Sequence, residues 1–155
     1  MRLEYFEMID SVEEFDAKRG YIRTIARVPM TSPVFEGHFP THPILPGVLL
    51  LETMNHASGY LLLGLHKLKK LPLFTGVKKG KFRKWVTPGM VLEASAELLH
   101  DGSGFGVTKA VIMQDGQRIA DAEITLALVD FPTPELEAEI RRRAEAAGLL
   151  ATVVA

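Results

Sequence analysis

Two side chains able to handle protons, His38 and Glu52, lie fourteen positions apart (52 minus 38) in the stretch GHFPTHPILPGVLLLE. Histidine changes charge near neutral pH and suits a general base. Glu52 sits among Val48, Leu49, Leu50, Leu51 and Met54, where burial disfavours the charged carboxylate. Either it turns to water, or the chain keeps a carboxyl group in an apolar site, partly protonated through a raised pKa. A base and a potential acid are the residue types of general acid–base chemistry. Glu52 and His56 are an i,i+4 pair and would share a helix face. With His38 they are also of the types found in two-histidine, one-carboxylate metal sites. Nothing in the spacing requires that, and no metal or other cofactor is expected. His38 and His42 are four apart, but Pro40 prevents the helix that would pair them. His66, beside Lys67, and His100, at a hairpin end, are expected in solvent.

The elements that must hold these residues belong to one domain, as 155 residues suit a single core. Apolar residues make up 47% and charged residues 24%, an ordinary globular balance. A net charge of -1 argues against nucleic acid as a partner. The absence of cysteine excludes disulfides, thiolate nucleophiles and thiolate metal sites, and fits a reducing compartment. The first residues, MRLEY, lack the pattern of a signal peptide. Residues 48 to 65 approach the length of a membrane span, but Glu52, Asn55 and His56 would be costly in hydrocarbon. The segment is therefore read as a helix buried in protein, with no integral membrane segment, and the cytoplasm is the expected location.

Residues 1 to 10 read as a lead-in, and residues 11 to 20 as an acidic stretch turning at Lys18-Arg19-Gly20. Tyr21 to Val28 alternates as a strand with one wet face. Five prolines between Pro29 and Pro46 exclude a helix or central strand and predict a long ordered loop. Pro46 then starts a helix from Gly47 to Leu65, apolar nearly all round and so enclosed by other elements. Strands follow from Leu73 to Val86, Met90 to Leu99, Gly106 to Met113 and Arg118 to Val129, the last with Ala120, Ala122, Ile124, Leu126 and Leu128 on one face. Asp101-Gly102 and Asp115-Gly116 mark the hairpins. Thr133 and Pro134 open a final helix stopping near Gly148. The fold class is α+β, an antiparallel sheet curved around one long helix.

The segment GHFPTHPILPGVLLLETMNHASG resembles the active-site segment of the β-hydroxyacyl-ACP dehydratases of FabZ type, whose pattern is roughly GHFPxxPxxPGVxxxEaMxQ. It matches at Gly37, His38, Phe39, Pro40, Pro43, Pro46, Gly47, Val48, Glu52 and Met54. The stretches Phe74 to Val77, Lys81 to Lys84 and Val86 to Gly89 are similar to that family too. The resemblance implies the hotdog fold, with a dehydratase-like domain over residues 1 to 131 and a C-terminal helical extension over 132 to 155. It implies loss of water from a (3R)-3-hydroxyacyl chain carried on acyl carrier protein, with no cofactor. His38 would serve as base, Glu52 as its acidic partner, and the Gly47 backbone N–H would hold the thioester oxygen. Phe39, Val48, His56 and Phe82 would line the substrate site. Family members form homodimers, often trimers of dimers, with His38 of one subunit meeting Glu52 of the other.

Lys78, Lys79, Lys81, Arg83 and Lys84 place five positive charges in seven positions. They read either as a solvated strand edge or as a docking patch for acidic carrier protein. The chain departs from the family pattern at His56, where glutamine is usual, and at Asn55, Trp85 and Met90. The alternatives are another hotdog enzyme, a thioesterase or enoyl-CoA hydratase, or a non-catalytic acyl-binding subunit.

Overall fold

A computed structural model describes residues 1–154 of the chain. In order, a 3-10 turn (Leu3–Tyr5) leads to β1 (Ser11–Asp16), β2 (Tyr21–Arg27), α1 (Pro33–Gly37), α2 (Gly47–Leu65) and β3 (Leu71–Phe82). Then come β4 (Val91–Gly102), β5 (Phe105–Gln114), β6 (Gln117–Val129), α3 (Pro134–Ala146) and α4 (Leu149–Val154). The strands form one antiparallel sheet in the order β1-β2-β4-β5-β6-β3. Alternation drives it: Ile22, Thr24 and Ala26 face inward on β2, and Leu92, Ala94 and Ala96 do so on β4.

The inner face of the sheet packs on α2, which touches β2, β3, β4, β5 and β6. This is the hotdog arrangement, and the helix has the bounds that the sequence predicts. Buried Leu50, Met54, Ala57, Leu61 and Leu62 on α2 form its half of the core. Two glycines allow the close approach. A Cβ at Gly106 on β5 would meet Leu62 carbons at 2.7 and 2.9 Å, and one at Gly64 would meet the Phe15 ring at 2.4 Å. The buried polar pair Ser58 and Thr108 share a hydrogen bond of 2.7 Å between helix and sheet, so neither is left unpaired.

Three elements differ from the sequence expectations. Residues 11 to 16 form a strand rather than only an acidic turn: Val12 is buried, and a bulge between Val12 and Glu14 breaks the simple alternation. The proline-rich loop contains α1, because Pro33 sits in the first turn, where a missing N–H costs nothing. Ser32 caps that turn, its Oγ accepting from the Val34 N–H at 3.2 Å. At the C-terminus, Thr133 caps α3 through the Leu136 N–H at 3.1 Å as expected. Beyond Gly148 (φ +86°) the chain turns into α4 instead of ending. Residue 155, the last of the expected extension, lies outside the described residues.

Candidate active site

The proline-rich loop is held as a narrow hairpin that presents His38. The Ile44 N–H donates to the His38 carbonyl at 2.9 Å, and His42 and Phe39 exchange backbone hydrogen bonds of 3.0 and 3.3 Å. Pro40 and Pro43 fall where no donor is used. The Leu45 N–H donates to the Val86 carbonyl at 2.7 Å, and His42 lies edge-on to Trp85, so the loop is moored to the chain leaving β3. The His38 ring closes the arrangement, with Nδ1 3.0 Å from the Ile44 carbonyl oxygen. A carbonyl can only accept, so Nδ1 carries the proton and Nε2 keeps its lone pair. Phe39, joined to His38 by a cis peptide bond, stacks on the imidazole with centroids 4.3 Å apart. His38 is thus a half-buried histidine with its basic nitrogen unpaired.

Two residues after the anchoring at Leu45, the chain enters α2. The N-cap is Pro46, which has no side-chain acceptor to offer, and the first helical bonds run from Leu49 and Leu50 to its carbonyl. The N–H groups of Gly47 and Val48 therefore point out of the helix without a partner in the chain. Both residues are exposed, and the Phe82 ring lies beside Gly47, 3.8 Å from where a Cβ would be. The end of a nineteen-residue helix adds its dipole to those donors, which suits a developing oxyanion.

Glu52, one and a half turns along, does not have the raised pKa expected of it. His56 Nε2 donates to its Oε1 at 2.8 Å, and Asn55 Nδ2 donates to the same oxygen at 2.9 Å. The His56 hydrogen bond, opposed by burial and aided by Asn55, holds the carboxyl below its usual range. The sequence places His56 on the same helix face as Glu52, but the apolar neighbours outweigh it in the expected pKa, and Asn55 as a second donor gives no signal there. Asn55 is left with a buried Oδ1 that has no partner. Within one chain, no hydrogen bond or ion pair joins His38 to Glu52.

These features meet a consistent set of relatives. A FabA-like domain family matches residues 2–123. The 3-hydroxyacyl-[acyl-carrier-protein] dehydratase FabZ of Symbiobacterium thermophilum is 38% identical over 131 residues, covering 84% of this chain and 92% of that protein. The FabZ of Chlamydia abortus is 41% identical over 129 residues, covering 81% and 83%. The chain belongs to the FabZ-type dehydratase family. Among solved structures, a hypothetical thioesterase with coenzyme A from Streptococcus pneumoniae superposes with a TM-score of 0.62 at 15% identity, over 79% of this chain and 88% of that one. At that identity the likeness concerns the fold alone.

The remaining residues expected for a FabZ-type site fall into two groups. Phe39, Val48 and Phe82 are exposed, Val48 and Phe82 at the α2 N-terminus and Phe39 against the His38 ring, while His56 is tied to Glu52. Of the five basic residues, Lys78, Lys79 and Lys81 are exposed on β3 without a side-chain partner. Arg83 pairs instead with Asp121, and Lys84 with Gln117. Asp121 is buried, and Lys109 also reaches it at 3.2 Å. Burial pushes this carboxyl up, but the hydrogen bonds from Arg83 and Lys109 outweigh it and hold the pKa below 3.8. Sequence alone gave no signal for Asp121, which lies on the opposite face of β6 from Ala120 and Ala122. His66 is not simply solvated either: its Nε2 lies 2.9 Å from Asp101. Among the described residues no cluster could hold a metal ion, and no helix is long and apolar enough to cross a membrane.

Proposed function

We propose that the chain dehydrates (3R)-3-hydroxyacyl-ACP to the trans-2-enoyl thioester at a site shared between two copies, His38 coming from one and Glu52 from the other. The observation that carries this is His38 itself, pinned through Nδ1 to Ile44 with Nε2 free, yet with no link to the carboxylate of its own chain. Nε2 takes a proton from C2 of the substrate. The electron pair left behind forms the C2–C3 double bond, while the Gly47 N–H stabilises the charge on the thioester oxygen. The C3 hydroxyl departs as water, taking a proton from the acid form of Glu52. In reverse, ionised Glu52 draws the proton from water as it adds to C3, and His38 returns a proton to C2.

The open edge of the sheet supports an assembly of at least two copies. β1 is covered at its edge, where the Val12 N–H donates to the Ala147 carbonyl at 2.7 Å. β3, the other edge, exposes Leu73, Phe74, Val77 and Phe82, an edge that proteins normally cover. Lys78, Lys79 and Lys81 on that strand are the groups we assign to contact with acidic carrier protein. The catalytic domain is residues 1 to 131, with residues 132 to 155 added to it, and the cysteine-free composition suits the reducing cytoplasm.

The test is hydration of a trans-2-enoyl-ACP by the purified protein, followed as 3-hydroxyacyl product. His38→Ala and Glu52→Gln are each expected to lose about 10²–10⁴-fold in rate. Mixing the two inactive variants after dissociation and reassembly is expected to restore turnover, because one site of a mixed dimer then holds both native residues. No restoration from correctly assembled dimers would place the site within one chain. Release of free thiol without hydration would make the protein a thioesterase.

A further inference from the structure

Dehydration needs the acid form of Glu52, yet the resting carboxyl is held below its usual range, chiefly by the His56 hydrogen bond. The two oxygens of Glu52 are used unequally. Oε1 accepts from His56 Nε2 at 2.8 Å and from Asn55 Nδ2 at 2.9 Å, while Oε2 has no hydrogen bond among the described residues. Of the two donors, the Asn55 amide cannot give up its proton near neutral pH, whereas an imidazole can. A carboxylate only accepts, so Nε2 carries hydrogen, and the bond persists whether or not Nδ1 is protonated.

The surroundings of His56 suit a ring that gains and loses charge. Its side chain is 28% exposed, and Nδ1 has no hydrogen bond among the described residues. It lines a cavity of about 350 Å³ with Glu7, Asp10, Tyr60, Arg142 and Arg143. Those charges are already balanced. Glu7 lies 3.6 Å from Arg2, Asp10 pairs with the N-terminal ammonium, and both arginines pair with Glu139. The carboxylate that responds directly to the His56 proton is Glu52.

We propose that His56 is the proton store of Glu52, a positioning residue that hands its Nε2 proton to Oε1 for dehydration and takes it back afterwards. The inference rests on the dehydratase reading above. Starting from the imidazolium, the Nε2–H bond breaks and an Oε1–H bond forms, leaving a neutral ring and a neutral carboxyl group. The carboxyl turns about its last bond, a soft two-fold rotation, and presents that proton to the C3 hydroxyl. The C3–O bond breaks with its electron pair on oxygen, water leaves, and Glu52 is again a carboxylate. Once the enoyl product has gone, His38 releases the C2 proton to water, and water returns one through Glu52 to Nε2. The cycle consumes no net proton. Glutamine, usual at this position in the FabZ pattern, would donate the same hydrogen bond but could not release its proton.

The experiment measures steady-state dehydration of (3R)-3-hydroxydecanoyl-ACP by the wild type, His56→Gln and His56→Ala. Gln keeps a donor beside Glu52 without a releasable proton, so kcat is expected to fall about a hundredfold, with KM within about threefold of wild type. Ala leaves room for a free base, and added imidazole is expected to raise its kcat about tenfold, which a loss of packing alone would not allow. One variant reports if the other fails to fold. A fall of less than about tenfold in His56→Gln, or His56→Ala unmoved by imidazole, overturns the proposal while the dehydratase reading stands. A wild type that dehydrates no 3-hydroxyacyl-ACP removes that reading, and this inference with it.

Discussion

Glu52 receives two hydrogen bonds from its own helix, and they decide which protonation state the resting chain holds. His56 Nε2 at 2.8 Å contributes most, so removing it should let burial push the carboxyl back up. Hydration needs ionised Glu52, and its rate falls as pH drops through that pKa. His56→Ala is therefore expected to shift the acid limb of the hydration pH–kcat/KM profile to higher pH; an unmoved limb would separate His56 from the chemistry. Asp121 offers a second test. Its lowered pKa means that its stabilisation is present above 3.8, the unfolded value, and is lost as pH falls through the folded value. Asp121→Asn should destabilise the fold at pH 7 by about 1–3 kcal/mol, at the modest end for buried pairs because Arg83 and Lys109 are partly exposed. The gap from wild type, measured by urea unfolding, should shrink as pH is lowered below 3.8.

On α2, two glycines five residues apart should respond oppositely to the same substitution. At Gly64 the added methyl meets the rigid Phe15 ring at 2.4 Å, an overpacking that costs about 1–3 kcal/mol and exceeds the roughly 1 kcal/mol gained in helix propensity. At Gly59 nothing opposes that gain. Gly64→Ala is expected to lower unfolding free energy, and Gly59→Ala to raise it by up to about 1 kcal/mol; chemical denaturation reads both. The elements themselves were legible to different degrees. α2 was read with its bounds because Pro46 starts it and its apolar run has no breaker. β1 is not legible in that way, since a bulge breaks its alternation and its strand form comes from pairing with β2. α1 hid among prolines, one of which happens to sit at a helix start.

For the whole molecule, the proposed function assigns association to the exposed β3 edge and to three lysines on it that have no side-chain partner. Exposed charges steer encounters and are screened by salt. Replacing Lys78, Lys79 and Lys81 together by Glu is expected to raise KM for acyl-ACP several-fold at low ionic strength, with kcat little changed. The difference should narrow near 0.5 M salt. Equal KM values at low salt would assign the lysines to a solvated edge alone. Arg83 and Lys84 are left out of that variant because their partners Asp121 and Gln117 give them a structural task. Of the five basic residues read from the sequence, three have no side-chain partner in the folded chain.

The sequence by itself determined the spacing from His38 to Glu52, the start of α2 at Gly47, the hairpins and the Thr133 cap. Each depends on residues within a few positions of one another. Only the tertiary structure decided that His38 keeps its proton on Nδ1, because that follows from a loop folding back on Ile44. Likewise, only folded side-chain directions revealed that Glu52 is held ionised, and only the pairing of β3 with β6 delivered Arg83 to a buried Asp121. Charge states and cavities depend on which atoms are brought together across the chain, and periodicity along it carries no record of that.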